Sequence, residues 1–421
     1  MKLWDLIIIG TGPSGLFCGY NTALSGKSTL ILEKNLQFGK KLLIAGQGKC
    51  NLTHNGDIKS FLTKFGDNGK FLKQSLNNFN PQNLKDWFES LGLPLVLLEE
   101  TGKYFPSTMS SQDVLKVMID SCKKAGVIFK NNTCVLSTTK INEKNEDATL
   151  NSGYFKVITT NDNEVFYAQN IVVATGGMTY PQTGTTGDGY KFAKKLGHSI
   201  VTPSPCLTPI FVDNYSFAEI SGISVAKVKI GLFRENILIK ENRGDILFTH
   251  HNLSGPGIID FSRYVKKNDI LKINFVNMEP NEFFLLFQNY SNLNGAHSVK
   301  TFLYSLLLPK RLIQKILFIH KLDENRKIAE INKSERKIIL SLSDYPFTVT
   351  RVGDVNIAMA TSGGVCLQEI NPKTMESKLC KNLYFIGEVL DIDGDTGGYN
   401  IQAGFSTGYT ASLNISKIKN S

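Results

Sequence analysis

The chain has 421 residues, of which 42% are hydrophobic and 20% are charged. These values are typical of an ordered globular protein of two or three domains, and they exclude an intrinsically disordered chain. No apolar run approaches the ~18 residues that a membrane-spanning helix requires. The amino terminus runs directly into an apolar strand without the cleavage region of a signal peptide. We therefore expect a cytoplasmic protein that makes no membrane contact.

The cysteine and histidine patterns indicate neither a disulfide framework nor a metal site. The chain has seven cysteines, an odd number, and no Cys-x-x-Cys pair. Paired disulfides and a zinc ribbon are therefore not expected. The six histidines include no His-Glu-x-x-His motif, so we expect no bound metal.

Positive charge is concentrated in two segments. Residues 300–337 carry ten basic and four acidic side chains, and residues 40–73 carry seven lysines and two aspartates. Clustered positive charge favours a phosphate-rich partner, and a lysine-rich solvated surface is the alternative. Lys310, Arg311 and Lys315 lie within six residues, off the apolar side of a predicted helix. We expect their charged groups to reach successive phosphates if the partner is RNA.

The first half of the chain predicts a repeated alternation of strands and helices. Residues 4–33 predict a βαβ unit with a strand at 4–9, a helix to about residue 24 and a strand at 28–33. Apolar residues at helical spacing predict helices at 82–91 and 111–125. The predicted strands that follow are 127–129, 133–138, 154–160, 164–168 and a buried strand with a tight turn at 170–177.

The pattern changes near residue 191 and returns after Tyr345. Prolines at 203, 205 and 209 mark a crossover. Residues 206–250 alternate as strands do, residues 256–342 are mostly helical, and low complexity is limited to residues 142–152. A strand at 383–386 and a helix at 402–412 complete the pattern. The predicted organisation is an α/β nucleotide-binding domain at 1–190 and 346–421, interrupted by a β-rich insertion at 191–255 and a helical insertion at 256–345.

Three glycines after the first strand form a dinucleotide-binding fingerprint. In Gly10-Thr-Gly12-Pro-Ser-Gly15, Gly10 permits the tight turn, Gly12 lets a pyrophosphate approach, and Gly15 allows close helix–strand packing. The amino terminus of the following helix favours an anion through its free N–H groups and its dipole. Glu33 ends the second strand 21 residues after Gly12, where a carboxylate would accept hydrogen bonds from a ribose.

Three later turns favour FAD over NAD as the dinucleotide. The run at 174–177 resembles the second nucleotide-side turn of flavoproteins with two dinucleotide folds. Gly387-Glu388 resembles their carboxyl-terminal flavin motif, in which the acid holds a ribityl hydroxyl. The run at 397–400 precedes a helix and would place backbone N–H groups at the N1–O2 edge of the flavin. Each glycine pair alone is an ordinary turn, but their order predicts a Rossmann-type FAD-binding domain.

Four longer motifs identify the chain as resembling the BaiN/YhiN-like flavoproteins, and the resemblance runs nearly end to end. The motifs are Gly39–Thr53, Leu247–Pro256, Ser362–Val365 and Gly387–Gln402. The chain departs from the family pattern at Lys49, where Arg is usual, and at Ala45, Gln47, Asn252 and Ala403-Gly404. These departures lie in loops expected to face the flavin, so they put the shape of the substrate pocket in doubt.

The resemblance implies reduction of activated carbon–carbon double bonds. Similar proteins act on dehydrogenated bile acids, and a bacterial branch forms dihydrouridine in large-subunit ribosomal RNA. The basic segments favour ribosomal RNA as the partner over a small-molecule enone. An RNA-binding protein with a structural FAD is an alternative of another class. With only one Gly-x-Gly-x-x-Gly motif in the chain, we expect NADPH or NADH to dock transiently as the electron donor.

The turns and the resemblance together define the residues expected to contact FAD. These residues are Gly10, Gly12, Ser14, Gly15, Glu33, Lys34, Lys41, Gly46, Gly48, Cys50, Asn51, Val135, Ala174, Thr175, Gly176, Gly387, Glu388, Gly397, Gly398, Tyr399 and Asn400.

Two residues are candidates for the acid that protonates the substrate. Cys50 lies in a glycine-rich loop expected at the flavin, and a thiol of ordinary pKa near 8.5 keeps its proton at neutral pH. The alternative for Cys50 is a small buried hydrophobic residue. His250 is the second candidate, with a structural hydrogen-bonding role as its alternative. Lys49 would hold either a substrate carbonyl or phosphate, or the pyrophosphate of the cofactor.

Overall fold

A computed structural model describes residues 2–141, 153–160 and 164–417 of the chain. The predicted low-complexity stretch at 142–152 lies outside these residues. The chain divides into two compact units. The first comprises Met1–Ser204 and Met359–Ser421, and the second comprises Pro205–Ala358.

The bounds of the strands and α-helices follow in chain order. The strands are β1 Leu3–Ile9, β2 Thr29–Leu32, β3 Thr53–His54, β4 Leu95–Leu98, β5 Lys103–Pro106, β6 Ile128–Lys130, β7 Val135–Ile141, β8 Tyr154–Thr159, β9 Val165–Val173, β10 Ile200–Cys206, β11 Ile210–Val212, β12 Ser224–Arg234, β13 Ile237–Phe248, β14 Leu253–Ser254, β15 Ile270–Asn274, β16 Tyr345–Val352, β17 Ala360–Val365 and β18 Leu383–Phe385. The helices are α1 Pro13–Leu24, α2 Lys40–Leu43, α3 Ile58–Leu62, α4 Lys73–Asn78, α5 Pro81–Ser90, α6 Ser111–Lys124, α7 Asp188–Lys195, α8 Pro256–Ile259, α9 Pro280–Asn294, α10 Val299–Tyr304, α11 Lys310–Ile319, α12 Lys333–Leu340 and α13 Tyr399–Lys417.

The first unit is built on a sheet whose central strands are parallel. β1 pairs with β2 on one side and with β9 on the other, and β6 extends the sheet beyond β2. Leu6, Ile7 and Ile8 of β1 are fully buried, because helices cover both faces of such a sheet. The carboxyl ends of parallel strands share one edge, which is where ligands bind in open α/β sheets.

The strand predicted at 164–168 and the start of the strand predicted at 170–177 form one long strand, β9. β9 pairs with β8 antiparallel through residues 165–168 and with β18 in parallel through residues 171–173. β7 continues the sheet beyond β8. The edge at the carboxyl end of β9 therefore also receives β18 and the loop at Gly387 that follows it.

Two long helices approach each other closely beside this edge. A β-carbon at Gly408 of α13 would lie 2.5 Å from the carbonyl oxygen of Ser14 in α1. A β-carbon at Gly404 would lie 3.7 Å from the β-carbon of Ser14, which is an ordinary contact. The small residues of α13 therefore let it pack against the first turn of α1.

The second unit is a closed barrel with helices packed on the same core. The strand order is β11-β14-β13-β12-β15-β16. Val228, Ile230 and Leu232 of β12 are fully buried, as alternate inward residues of a barrel strand are. The helices between β15 and β16 contribute to this core through residues such as Phe283 and Leu312. The barrel and the helices therefore form one unit.

The predicted α/β fold with a Rossmann-type domain interrupted by an insertion is confirmed, while the boundaries differ. The structure divides the chain after residues 204 and 358, whereas the sequence pattern places the borders after 190 and 345. The segment predicted as helical contains β15, and β16 after it closes the barrel. β10 and β17 form a two-stranded sheet, and β3, β5 and β4 form another that the sequence pattern did not predict.

The predicted helix at 402–412 is longer in the structure, since α13 begins at Tyr399 and ends at Lys417. Helices predicted at 82–91 and 111–125 correspond to α5 and α6 within one residue at each end. Within the described residues, no helix combines the length and apolar character needed to cross a membrane.

Candidate functional site

The three fingerprint glycines have the three different environments that a dinucleotide turn requires. Gly10 has φ of 109°, and a β-carbon there would lie 2.5 Å from the carbonyl oxygen of Ala174. A β-carbon at Gly15 would lie 2.3 Å from the carbonyl oxygen of Gly10. A β-carbon at Gly12 would meet no described atom within 4 Å. Gly10 and Gly15 are therefore fixed by packing, whereas Gly12 borders open space in which a phosphate can lie.

The amino terminus of α1 is free to receive an anion. Gly12 is the N-cap residue, Pro13 follows at the first helical position, and no described side chain caps the helix. The N–H groups of the first turn are therefore left for a ligand, and the helix dipole favours negative charge there. Ser14, also in this turn, is buried.

Glu33 lies at the end of β2 as predicted, and protein donors surround its carboxylate. Oε2 accepts hydrogen bonds from the backbone and the hydroxyl of Thr11, the first at 3.2 Å. Oε1 accepts from the backbone N–H of Asn35 at 2.9 Å and from its side-chain amide at 2.8 Å. A carboxylate has about four acceptor positions. A ribose hydroxyl would therefore replace one of the side-chain donors.

The segment between β6 and β7 reaches the same carboxyl end. The N–H of Thr133 donates to the carbonyl of Glu33 at 2.8 Å, and Val135, two residues later, is buried. Lys34 points to a different partner, because its Nζ atom lies 2.6 Å from Asp188. Val135 is therefore near the adenosine end of the predicted site, and Lys34 is held by an ion pair.

The flavin-side carboxylate and the second glycine turn lie together. Oε1 of Glu388 accepts from the backbone N–H of Thr361 at 2.9 Å, and both oxygens contact Nζ of Lys41 at 3.0 and 2.9 Å. Gly176 has φ of 71°, and a β-carbon there would lie 3.7 Å from Oε2 of Glu388. Thr175 precedes this glycine. Gly387 packs against Ser14, whose Oγ atom would lie 2.7 Å from a β-carbon at Gly387.

The loop after α2 has an unusual backbone. Gly46, Gln47, Gly48 and Cys50 have φ of 57°, 58°, 84° and 60°. This left-handed region favours glycine, and non-glycine residues there are strained. Asn51 follows, and its Oδ1 atom is buried with no hydrogen-bond partner among the described residues. An unpaired buried acceptor of this kind is explained by a ligand that donates to it.

The last glycine turn closes against this loop. Gly397 and Gly398 have φ of 126° and 93°, and a β-carbon at Gly398 would lie 2.7 Å from the backbone of Thr53. Tyr399 then begins α13 and is buried. The side chain of Asn400 pairs with both backbone groups of Gly394, at 2.7 and 2.9 Å. It therefore stabilises the turn rather than offering its amide to a ligand.

These observations fit FAD. The open space at Gly12 and the uncapped helix suit a pyrophosphate, and Glu33 and Glu388 suit hydroxyl donors of the ribose and the ribityl chain. The Oδ1 atom of Asn51 and the Oγ1 atom of Thr53 are buried without a hydrogen-bond partner among the described residues, and the backbone of Thr53 lies against the last glycine turn. No group of three or more metal-ligating side chains occurs in the parts of the chain that the structure describes.

The two candidate acids have very different environments. Cys50 is 0% exposed and belongs to the hydrophobic core, and burial raises the pKa of its thiol to about 12. A thiol so placed keeps its proton, but it is far from the ideal of an acid with a pKa near the working pH. The geometry therefore favours the packing role for Cys50.

His250 lies at an exposed turn of the barrel unit. The turn joins β13 to β14, and the hydroxyl of Thr249 organises it through contacts with Asn252 at 2.8 and 3.1 Å. The only ring near His250 in the described part of the barrel unit is His251, with centroids 6.3 Å apart. Among the described residues, His250 has no partner that would orient it for acid catalysis.

The structure also reveals a cavity, lined by both polar and apolar surface, that sequence reasoning missed. It has a volume of about 530 Å³ and is lined by residues 54–59, 80–82, Lys85 and Tyr104. His54 lies on its wall and stacks on Tyr399. The only sequence signal was the position of His54, which directly follows the glycine-rich motif Gly39–Thr53.

The prediction that Lys310, Arg311 and Lys315 lie off the packed side of their helix, with charged groups that can reach phosphates, is wrong for Lys315. The Lys315 side chain is 8% exposed and lies 2.9 Å from Glu219. Arg311 donates to the carbonyl of Glu219 at 2.6 Å, so it too is engaged. α11 packs by a wider face than the apolar residues alone indicate, because the lysine stem is buried with them.

Comparisons with known proteins agree with this fold. The model of the HI0933-like protein Rossmann domain family matches residues 4–414. A ribosomal RNA dihydrouridine synthase of Escherichia coli strain K12 is 29% identical over 100% of both chains. A 3-dehydro-bile acid delta(4,6)-reductase of Clostridium scindens is 27% identical over 96% of this chain and 97% of that one.

A solved structure has the same fold at low identity. The 3-ketosteroid-delta4-(5alpha)-dehydrogenase of Rhodococcus jostii RHA1 superposes with a TM-score of 0.52 at 13% identity, covering 99% of this chain and 97% of that one. At this identity the likeness shows the fold alone. The family match, by contrast, spans both units. The chain therefore belongs to the HI0933-like Rossmann domain family of flavoprotein oxidoreductases.

Proposed function

We propose that this protein is an FAD-dependent reductase of activated carbon–carbon double bonds that forms dihydrouridine in large-subunit ribosomal RNA. The observation that carries the proposal is the full-length likeness to the relative named a ribosomal RNA dihydrouridine synthase. NADPH or NADH would reduce the flavin and then leave, since the chain has one Gly-x-Gly-x-x-Gly motif for one resident dinucleotide.

The residues of the first unit would bind and orient the cofactor. Gly12 and the start of α1 would hold the pyrophosphate, Glu33 a ribose, and Glu388 the ribityl chain with Lys41 beside it. When bound, FAD supplies a hydride for the β-carbon of the acceptor, which is C6 in uracil. The protein must then polarise the C4 carbonyl, exclude water and deliver a proton to C5.

Unpaired positive charge in the barrel unit supports an RNA substrate. Lys333, Arg336 and Lys337 are exposed on α12, at spacings of three and four residues that place them on one face. None has an ion-pair partner within residues 2–141, 153–160 and 164–417. Such a face gains affinity for a phosphate backbone by releasing counterions. The target base would have to leave its stack to reach a flavin. A ribosomal substrate also implies that the protein acts in the cytoplasm.

A small-molecule enone reductase is the second candidate, and one observation favours it. The bile-acid reductase relative is nearly as similar to this chain as the dihydrouridine synthase. Both reactions add a hydride and a proton across a double bond conjugated to a carbonyl, so the flavin site alone does not separate them. A third reading, an RNA-binding protein with a structural FAD, predicts a flavin that no acceptor reoxidises.

Mapping dihydrouridine in ribosomal RNA tests the proposal. A strain lacking the gene should lose dihydrouridine at one or more positions, and the purified holoenzyme with NADPH or NADH should restore it. Unchanged dihydrouridine in the deletion strain, together with reoxidation of the reduced enzyme by an enone, would establish the small-molecule reductase instead. If neither NADPH nor NADH reduces the bound flavin, and if neither RNA nor an enone reoxidises the dithionite-reduced enzyme, the FAD has only a structural role.

A further inference from the structure

Close packing holds the imidazole of His54 in one position. It stacks on Tyr399, with ring centroids 5.1 Å apart and planes inclined by 18°. A β-carbon at Gly102 would lie 2.5 Å from Cε1 of His54, and one at Gly397 would lie 3.3 Å from its Cδ2. Two glycines and a tyrosine thus form a slot for the ring. Gly397 and Tyr399 belong to the turn expected at the flavin.

The hydrogen bonds of His54 leave one ring nitrogen available. Nδ1 lies 2.6 Å from the carbonyl oxygen of Asn55. Because a carbonyl only accepts hydrogen bonds, Nδ1 carries a proton and donates it. Nε2 has no hydrogen-bond partner in the described part of the chain. In the protonated ring this nitrogen carries a second proton that can be transferred.

The cavity beside His54 contains no better acid among its described lining residues. Its other titratable side chains are Asp57, Lys59, Lys85 and Tyr104. The carboxylate of Asp57 caps α3 by accepting from the N–H of Ser60 at 2.7 Å. Among side-chain types, imidazole is the one that most often transfers a proton in catalysis.

We propose that this cavity receives the reacting ring of the substrate and that His54 donates the proton that completes the reduction. The inference rests on the proposed function. A hydride from the reduced flavin forms the new C–H bond at the β-carbon, and the π electrons of the double bond move to the α-carbon and its carbonyl. The Nε2–H bond of the imidazolium then breaks, and its proton forms the C–H bond at the α-carbon. The neutral imidazole regains a proton from water.

The decisive variant is His54→Phe, which keeps a ring against Tyr399 but has no proton to give. The holoenzyme is reduced with NADPH or dithionite without oxygen and then mixed with a uridine-containing single-stranded RNA or with 2-cyclohexenone. We expect unchanged FAD content, RNA affinity and reduction rate. We expect reoxidation to slow by roughly 10²–10⁴-fold, the usual weight of acid catalysis. His297→Gln, which removes a surface hydrogen bond and a ring contact with Tyr290, is the control and should match the parent.

Chemical rescue separates proton donation from packing. His54→Ala leaves space beside Tyr399, so added imidazole should restore part of its reoxidation rate while adding nothing to the parent or to His54→Phe. A normal reoxidation rate in His54→Phe, or loss of the rate in His250→Gln instead, would overturn the assignment of the donor. A parent enzyme that is reoxidised by neither acceptor would contradict the proposed function and the donor together, so the two failures are distinguishable.

Discussion

The ammonium group of Lys41 lies 3.0 and 2.9 Å from the two carboxylate oxygens of Glu388, across 347 positions of sequence. Both side chains are about one-fifth exposed. The hydroxyl of Thr179 accepts a further hydrogen bond from the same ammonium group at 2.8 Å. This contact joins the start of the glycine-rich loop to the carboxyl-terminal flavin motif, so it brings together two predicted cofactor residues from opposite ends of the chain.

Removing the cation from this pair should weaken both folding and cofactor binding. Lys41→Met leaves the Glu388 carboxylate without its main counter-charge, at a cost of about 1–2 kcal/mol after solvent screening. We expect a lower free energy of unfolding and faster loss of FAD on dilution, measured by denaturant titration and flavin fluorescence. Lys40→Met, at the neighbouring lysine, is the control. The double variant with Glu388→Gln should recover stability without recovering FAD affinity, and recovery of both would place Glu388 outside the cofactor site.

Two glycines of the fingerprint should respond differently to substitution. Gly12 has φ of −68° and open space around it, so Gly12→Val should fold normally but collide with a pyrophosphate. We expect a small decrease in the melting temperature of the apoprotein, because valine is a poor N-cap residue, and a loss of FAD affinity of roughly 100-fold, equivalent to ~2.8 kcal/mol. Gly10→Val should instead destabilise the apoprotein, because its side chain would meet the Ala174 carbonyl.

The purified parent should release FAD rather than FMN on heating, and release of FMN alone would contradict the site assignment.

Replacing Cys50 tests whether its burial excludes it from chemistry. With the thiol fully buried and its pKa raised to about 12, Cys50→Ala should bind FAD and be reoxidised at a rate close to that of the parent. Stopped-flow absorbance of the flavin measures this rate directly. A fall of roughly 10²–10⁴-fold with FAD retained would make the thiol the proton donor after all.

A buried histidine should make folding sensitive to mild acid. Nε2 of His198 lies 2.8 Å from the hydroxyl of Ser377, and its Nδ1 lies 3.1 Å from Glu369. Burial lowers the pKa of His198, and Glu369 only partly opposes this effect. The unfolded chain therefore binds this proton more readily than the folded protein does. Neutral His198 makes its full contribution to the stability of the folded protein at pH values above the unfolded pKa of about 6.5. This contribution is lost as the pH falls through the lower pKa that His198 has in the folded protein.

The measurement is the melting temperature between pH 7.5 and 5. We expect the melting temperature of the parent to fall more steeply than that of His198→Gln, which lacks the titrating group at this position. Parallel curves for the two proteins would show that His198 is not held neutral. Ser377→Ala should lower stability at every pH, because it leaves Nε2 of His198 without its hydrogen-bond partner in a buried position.

The exposed basic face of α12 should contribute to RNA binding. Neutralising Lys333, Arg336 and Lys337 with glutamine should reduce the slope of log affinity against log salt by roughly 0.7–0.9 for each phosphate that the variant no longer neutralises. FAD content and reduction by NADPH should not change. Lys123→Gln with Lys124→Gln, at the end of α6, changes surface charge elsewhere and serves as the control. Equal slopes for the parent and the α12 variant would show that this face is only solvated.

The sequence by itself determined the nucleotide-binding half of the protein, for a local physical reason. Gly10, Gly12 and Gly15 act through backbone conformation and close approach, and both are properties of a short stretch of chain. Glu33 follows from the length of one βαβ unit. The order of the later glycine turns then favoured FAD. The glycine and Glu33 predictions depend only on the continuous segment 4–33, so a single sequence was sufficient to make them.

Tertiary structure decided what depends on partners distant in sequence. Lys315 has the pattern of a surface lysine, but it is buried against Glu219, nearly a hundred residues away. Cys50 lies in a flexible-looking glycine loop, but the core encloses it. β15 and β16 have helical neighbours in sequence, and only pairing with β11 and β12 makes them barrel strands. His54 acquires its slot from Gly102, Gly397 and Tyr399, because folding brings β3, β5 and the start of α13 together.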